Sequence, residues 1–235
     1  MPLPFFFIEE ISPEKNFISL SEETSKHIVQ VLRMKIGEQL LLTDGKGHLL
    51  VCDISDNYKK KCVVKVEGSR FKEHGARKIS IAISLLKNVY RFEWFLEKAT
   101  ELGIAEIIPI VCTRTEKQHF RYDRMKNILI SSMLQSQQVW LPSLKEPTLV
   151  NEIILNAHQS QKFIAHCMET AKVSLTDAIN TSTSSQIILI GPEGDFTKEE
   201  IDTAFENHFV PVALGETRLR TETAGISAAV ILAMQ

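Results

Sequence analysis

Over the first 75 residues the apolar positions come in short runs separated by turn residues. Gln39-Leu40-Leu41-Leu42-Thr43 and His48-Leu49-Leu50-Val51-Cys52-Asp53-Ile54 flank Asp44-Gly45-Lys46-Gly47, which predicts a β-hairpin. Lys61-Cys62-Val63-Val64-Lys65-Val66 predicts another strand. One short helix interrupts them, with Ser21 as its N-cap and Ile28, Val31 and Leu32 as its apolar face. Several short strands and one helix predict a small β-barrel, followed by a polar linker at 71–77. From residue 78 strand and helix patterns alternate. Strands are predicted at 79–83, 107–111, 162–166, 186–190 and 211–214. Helices are predicted at 91–102, with Phe92, Phe95, Leu96, Ala99 and Leu102 on one face and Gly103 as the stop, and near 122–138. Thr197-Lys198-Glu199-Glu200 reads as a capping box opening another helix. A last helix follows Arg220, and its run from Ala224 to Met234 is apolar all round, which predicts burial on every side. Strands apolar throughout and separated by helices predict an α/β fold with a parallel sheet covered on both faces. The expected domains are 1–75 and 76–235.

Composition narrows the function classes. With 235 residues, 44% hydrophobic and 24% charged, the chain has ordinary globular usage. Its 27 Lys+Arg against 29 Asp+Glu give a formal charge of −2, which argues against a generic nucleic-acid coat but allows a local basic site. No apolar run reaches the roughly 18 residues of a membrane span. The start lacks a basic segment and runs into Glu9-Glu10, so no secretory signal is expected. Cys52, Cys62, Cys112 and Cys167 are scattered without a C-x-x-C pair, so neither a disulfide framework nor a structural zinc site is expected, and a reducing cytosol fits.

In open parallel sheets ligands bind beyond the carboxyl ends of the strands, and three such loops carry unusual residues. Gly191-Pro192-Glu193-Gly194-Asp195-Phe196 has the glycines and proline of a fixed turn that a ligand can approach closely. It is neither G-x-G-x-x-G nor a P-loop, so a ligand held by backbone groups fits better than one held through a diphosphate. A plain strand-to-helix turn capped by Thr197 accounts for the same residues. Glu193 is a base, a cofactor contact or a solvated carboxylate. Residues 215–223 place Arg218, Arg220 and Glu222 before the apolar helix, at the edge of a dry region where a charge is paired or functional; an Arg220–Glu222 ion pair is the structural alternative. The third loop, Thr113-Arg114-Thr115-Glu116, opens the strongest basic stretch. Arg114, Lys117, Arg121, Arg124 and Lys126 are interleaved there with His119, Phe120 and Tyr122. That suits RNA phosphates and base stacking, or simply a solvated helix face. Arg33 reads as a charge at a helix C-terminus.

Four stretches together resemble a known family: Val31-Leu32-Arg33-Met34 with Asp44-Gly45; Leu96-Glu97-Lys98-Ala99-Thr100-Glu101-Leu102-Gly103; Gly191-Pro192-Glu193-Gly194; and Leu219-Arg220-Thr221-Glu222-Thr223-Ala224. In this order and spacing they are similar to the RsmE family, ribosomal RNA small-subunit methyltransferases that modify uridine at N3. The resemblance spans nearly the whole chain. It implies an N-terminal PUA-like β-barrel for RNA, a C-terminal SPOUT domain with a trefoil knot, S-adenosylmethionine as cofactor, no metal, and a homodimer. It implies a cofactor site lined by Leu189, Ile190, Gly191, Pro192, Glu193, Gly194, Leu214, Gly215, Leu219, Arg220, Thr221, Glu222 and Thr223. Arg220, Glu222 and Glu193 are the catalytic candidates. Arg33, Arg114, Arg121 and Arg124 are the RNA contacts, with small-subunit ribosomal RNA, in the assembled subunit, as partner. Two departures stand out. Where the family usually carries E-Q-S-x-R, this chain has Leu134-Gln135-Ser136-Gln137-Gln138, and Asp195 stands where glycine is common.

Uridine N3 is protonated near neutral pH, so methyl transfer needs a base or a cation that stabilises charge on the flanking carbonyl oxygens. Arg220 fits the second role, and Glu222 or Glu193 the first. The rivals are a non-catalytic RNA-binding module, an α/β enzyme acting on a small molecule, and an RNA methyltransferase of another specificity such as ribose 2′-O.

Overall fold

The computed structural model describes residues 3–11, 16–116 and 119–235; Lys117 of the basic stretch and Met1-Pro2 of the start lie outside them. The chain forms two units. One runs to His74 and takes in Met133–Leu141; the other comprises Gly75–Ser132 and Pro142–Gln235.

In the first unit β1 (Phe5–Phe7), β2 (Phe17–Ser19), α1 (Glu22–Lys26), β3 (Gln39–Thr43), β4 (His48–Asp56) and β5 (Val63–Phe71) follow in order. The strands form one sheet, ordered β1-β3-β4-β5-β2. The expected hairpin is β3 and β4, paired antiparallel from Gln39 with Asp53 to Thr43 with Leu49. Three-residue strands such as β1 and β2 are too short to show a period, and the sequence reading missed both. Ser21 caps α1 by accepting from the Thr24 amide at 3.2 Å. The expected helical face fails one turn later. The chain widens over His27–Val31 into π-type turns, with the Leu32 amide bonded to the His27 carbonyl. Positions spaced by three and four then no longer align, so Ile28 is buried while Val31 and Leu32 are exposed. Residues 133–141 join this unit by backbone and indole bonds. Leu141 N donates to Gly45 O, Gly47 N to Val139 O, and Trp140 Nε1 to Lys72 O. Gly47 has φ +97°, and a Cβ there would stand 2.7 Å from the Trp140 ring, so this turn position accepts only glycine.

The second unit contains β6 (Lys78–Ser84), α2 (Val89–Glu101), β7 (Glu106–Val111), α3 (Tyr122–Gln135, its last turn counted with the first unit), β8 (Ser143–Leu144), β9 (Thr148–Leu149), α4 (Val150–Asn156), β10 (Gln161–Ala165), β11 (Val173–Ser174), α5 (Leu175–Ala178), β12 (Ser185–Ile190), α6 (Lys198–Glu206), β13 (Val210–Ala213) and α7 (Thr221–Ala233). Its sheet runs β11-β13-β10-β12-β6-β7-β8, with β9 also on β7, and every pairing is parallel. The two-residue side-chain period splits the central strands between two cores. Ala82, Ile108, Ile110, Ile164, Ile187 and Leu189 pack with Val150 and Ile154 of α4 and Ile201 and Ala204 of α6. On the opposite face Gly225 of α7 lies against Ile83 and against Phe95 of α2. One expectation is corrected here. α7 buries a single stripe, Thr221, Glu222, Gly225, Ala228, Ala229 and Leu232. Ile226, Val230 and Ile231 are only half-buried and Met234 is exposed, because the fold of one chain covers only that stripe.

Candidate functional site

Parallel strands end together, so the loops after β10, β12 and β13 converge. β12 leads into Gly191-Pro192-Glu193-Gly194-Asp195, closed as a turn by Asp195 N donating to Pro192 O at 2.9 Å. Gly191 is packed so closely that a Cβ would meet the Phe196 ring at 3.1 Å. Asp195 has φ +63°, a left-handed conformation that Asp tolerates better than most residues. Its carboxylate accepts from the Cys167 amide at 2.9 Å, tying this turn to the end of β10. The departure from glycine at 195 thus gains a physical role.

The turn is braced from behind. Arg114 Nη1 donates to Gly194 O at 2.8 Å and to Phe196 O at 3.2 Å. The buried Glu200 carboxylate accepts from Thr113 N and Oγ1 with one oxygen and from Thr197 N with the other. Thr197 Oγ1 in turn accepts from Glu200 N, completing the expected capping box. The third loop, Gly215 to Arg220, enters α7, and Thr221 Oγ1 donates to Gly191 O at 2.9 Å.

Between these loops lies a cleft with two adjoining lobes. One, about 310 Å³, is lined by Ile190, Gly191, Pro192, Glu193, Asp195, Arg220 and Thr221. The other, about 360 Å³, is lined by His166, Lys172, Leu214, Gly215, Glu216 and Thr217. Ala165, Cys167, Arg218, Leu219 and Ala224 border both. Each lobe is of small-molecule size. Gly215 has φ +151°, and no atom lies within 4 Å of where its Cβ would stand. Lys172 Nζ donates to His166 O at 2.8 Å. Both His166 ring nitrogens are buried without a hydrogen-bond partner, and burial first, then the Lys172 charge, pulls the imidazole below its usual pKa.

Nine of the thirteen expected cofactor residues border the cleft: Ile190, Gly191, Pro192, Glu193, Leu214, Gly215, Leu219, Arg220 and Thr221. Four do not. Leu189 points into the core with α4 and α6. Gly194 faces the Arg114 side chain. Thr223 is exposed, away from the lining. Glu222 is buried toward α2, where Oε1 stands 3.5 Å from Arg91 Nε and Oε2 has no partner. The Arg220–Glu222 pair is therefore not formed, because two helical steps of about 100° each turn Glu222 away from the cleft that Arg220 borders. Among the described residues the Arg220 guanidinium has no bonding partner. Sequence reasoning missed Ala165, His166, Cys167 and Lys172 as cleft walls, and it left Arg218, named in the 215–223 loop, out of the cofactor lining. The available signal for the first three was the apolar run Phe163-Ile164-Ala165 followed by His166-Cys167, at the carboxyl end of a parallel strand.

The expected RNA contacts differ in their local partners. Arg33 is exposed in the first unit with φ +55°. Arg114 is committed to the 191–196 turn. Arg124 makes a bidentate pair with Glu93 at 2.6 and 2.9 Å. Arg121 is exposed, with Nε donating to His119 Nε2 at 3.2 Å. Among the described residues no helix is long and apolar enough to cross a membrane, and no three His, Cys, Asp or Glu side chains cluster as metal ligands.

With the cleft defined, the chain's relatives can be set beside it. The pattern of an RNA methyltransferase domain matches residues 73–233, and that of an RNA methyltransferase PUA domain matches residues 20–67. The chain is 29% identical to the ribosomal RNA small subunit methyltransferase E of Bacillus subtilis, over 89% of this chain and 87% of that protein. A probable rRNA-methyltransferase from Porphyromonas gingivalis superposes with a TM-score of 0.91 at 33% identity, covering 98% of this chain and 97% of the other. The ribosomal RNA small subunit methyltransferase E of Neisseria gonorrhoeae, solved bound to S-adenosyl methionine, superposes with a TM-score of 0.87 at 26% identity, covering 98% and 97%. A parallel α/β unit ending in this cleft, a PUA domain before it, and matches along nearly the whole length lead to one conclusion: the chain belongs to the RNA methyltransferase domain family, in the branch whose members are named ribosomal RNA small subunit methyltransferase E.

Proposed function

We propose that this protein transfers a methyl group from S-adenosylmethionine to N3 of a uridine in small-subunit (16S) ribosomal RNA. The observation that carries this reading is the convergence of the 191–195 and 218–221 turns on one cleft, tied by the Thr221–Gly191 bond. The cleft suits the cofactor. Ile190, Leu219 and Ala224 offer apolar wall, Gly191, Pro192, Leu214 and Gly215 offer backbone groups, and the two lobes suit a ligand with two unlike ends. S-adenosylmethionine, when bound, supplies a methyl group on a positive sulfur, which keeps the electron pair of the broken bond and leaves as a neutral thioether.

The remaining work falls to the chain. The proton on N3 must go to a base as the new N–C bond forms. Glu193 is the expected carboxylate that borders the cleft, so we assign it that role in preference to Glu222. Arg220, uncommitted on the same wall, stabilises negative charge developing on the uracil carbonyl oxygens. The chain forms no covalent bond to substrate, so the rate comes mainly from positioning.

The reading extends to a SPOUT domain over residues 76–235 whose chain is knotted where these turns lock, and to a PUA-like RNA-binding domain over residues 1–75. It also includes a homodimer, supported by the half-buried apolar side of α7, Ile226, Val230 and Ile231. A cytosolic setting fits the free thiols, and an assembled small subunit is the expected substrate. The test uses small subunits from a strain lacking this protein, incubated with the purified chain and S-adenosylmethionine carrying a labelled methyl group. Label recovered as a single N3-methyluridine supports the reading. Label on a ribose 2′-oxygen, or none with no saturable cofactor heat in calorimetry, overturns it.

A further inference from the structure

Beside the cofactor cleft, and sharing Glu193 with it, is a second concavity of about 470 Å³ formed by the β6–α2 loop. Lys87, Asn88, Val89, Tyr90 and Arg91 line it. None of these residues belongs to the four motif stretches. They occupy the carboxyl end of the strand next to β12, where the topology of a parallel sheet brings loops to the reaction centre.

The groove brings together an aromatic residue, two cations and a carboxylate. Tyr90 is 70% exposed, with Trp94 one turn further along α2 and also exposed. Lys87 is held by Glu116 at 2.7 Å with both side chains mostly in solvent, a pairing of little net worth that a phosphate can replace. Arg91 has a carboxylate behind it. The buried Glu222 carboxylate places Oε1 3.5 Å from its Nε, and Oε2 of that carboxylate has no partner. That charge draws the guanidinium by its Nε side and leaves the other donors for carbonyl oxygens. This gives Glu222 a positioning role through Arg91.

We propose that this groove receives the acceptor nucleotide of the RNA, displaced from its stack. Its base lies on Tyr90, its carbonyl oxygens meet Arg91, and its phosphate replaces Glu116 on Lys87. The proposal rests on the methyltransferase reading and adds the acceptor's side of it. Transfer requires donor and acceptor to share a wall, and Glu193 borders both spaces. Single bases are read by aromatic stacking and edge hydrogen bonds.

Lys87→Gln, Tyr90→Leu and Tyr90→Phe alter exposed side chains and leave the core intact. With small subunits from a strain lacking this protein as probe, Lys87→Gln is expected to weaken binding about tenfold and reduce the salt slope by about one. Tyr90→Leu is expected to lower kcat/KM for RNA by about tenfold or more, with Tyr90→Phe restoring it. Cofactor affinity by calorimetry stays within twofold of the native chain in all three. Native RNA binding, salt slope and kcat/KM in Lys87→Gln and Tyr90→Leu overturn the proposal. Should the native chain transfer no methyl group at all, the methyltransferase reading falls separately, and the salt slope of RNA binding still decides the groove.

Discussion

The hydroxyl of Thr221 donates to the carbonyl of Gly191 at 2.9 Å, joining the first residue of α7 to the first residue after β12. These positions are 30 residues apart in sequence, and both are buried. The bond fixes the spacing of the two walls between which the donor is proposed to lie. Thr221→Val leaves a buried carbonyl unpaired, a loss of about 1–3 kcal/mol, and widens the cleft. Weaker S-adenosylmethionine binding by calorimetry is expected for Thr221→Val, with near-native binding for Thr221→Ser. Equal affinities in the two variants would show that the bond does not set the cleft.

The two catalytic carboxylate candidates separate by orientation. Glu193 borders the cleft and the groove, whereas Glu222 faces Arg91 from a buried position. Glu193→Gln should lower kcat by about 10²–10⁴-fold with cofactor affinity retained. Glu222→Gln, which keeps the shape and loses only the charge behind Arg91, should act mainly on KM for RNA. Arg220→Ala should abolish transfer while leaving cofactor affinity within a few-fold. Single-turnover methylation with each variant checks the assignment, and a Glu222→Gln defect in kcat matching that of Glu193→Gln would reverse it.

Gly225 has no room for a side chain. A Cβ there would stand 2.7 Å from the Phe95 ring and 2.9 Å from Ile83 Cδ1. Gly225→Ala should destabilise by about 1–3 kcal/mol, the usual cost of overpacking, offset in part by alanine's better helix propensity. For a chain of this size that lowers the melting temperature by about 2–4 °C per kcal/mol. Calorimetric melting of native and variant chains is the measurement, and an unchanged midpoint would mean that α7 shifts freely against α2.

Thiol chemistry reports on the cleft. Cys52, Cys62 and Cys112 are buried, and burial pushes the Cys52 thiol up to about 11 and Cys112 up to about 12. Cys167 is exposed and borders both lobes. A soluble disulfide reagent at neutral pH should therefore modify Cys167 first in the folded protein, since the thiolate is the reactive form. S-adenosylmethionine should slow that modification if the cleft is its site. Peptide mapping by mass spectrometry, with Cys167→Ser as control, checks both statements.

Local order was legible in the sequence because local physics governs it. The Asp44–Gly47 turn, the Ser21 cap, the capping box at Thr197 and Glu200, and the alternation of apolar strands with helices all follow from contacts within a few residues. The motif turns around Pro192 and Leu219 were legible too, through the order and spacing in which their residues resemble a known family. Other features were set by distant parts of the chain. Residues 133–141 belong to the first unit because Leu141, Val139 and Trp140 find backbone partners at Gly45, Gly47 and Lys72. Glu222 and Arg220 are two residues apart, yet their surroundings assign one to a buried pair with α2 and the other to the cleft. His166, Cys167 and Lys172 entered the wall only because β10 ends beside β12 and β13. The chain alone thus determined which segments form strands, helices and turns. Which side chains meet at the cleft was decided by strand order, because that order sets which loops share one edge of the sheet.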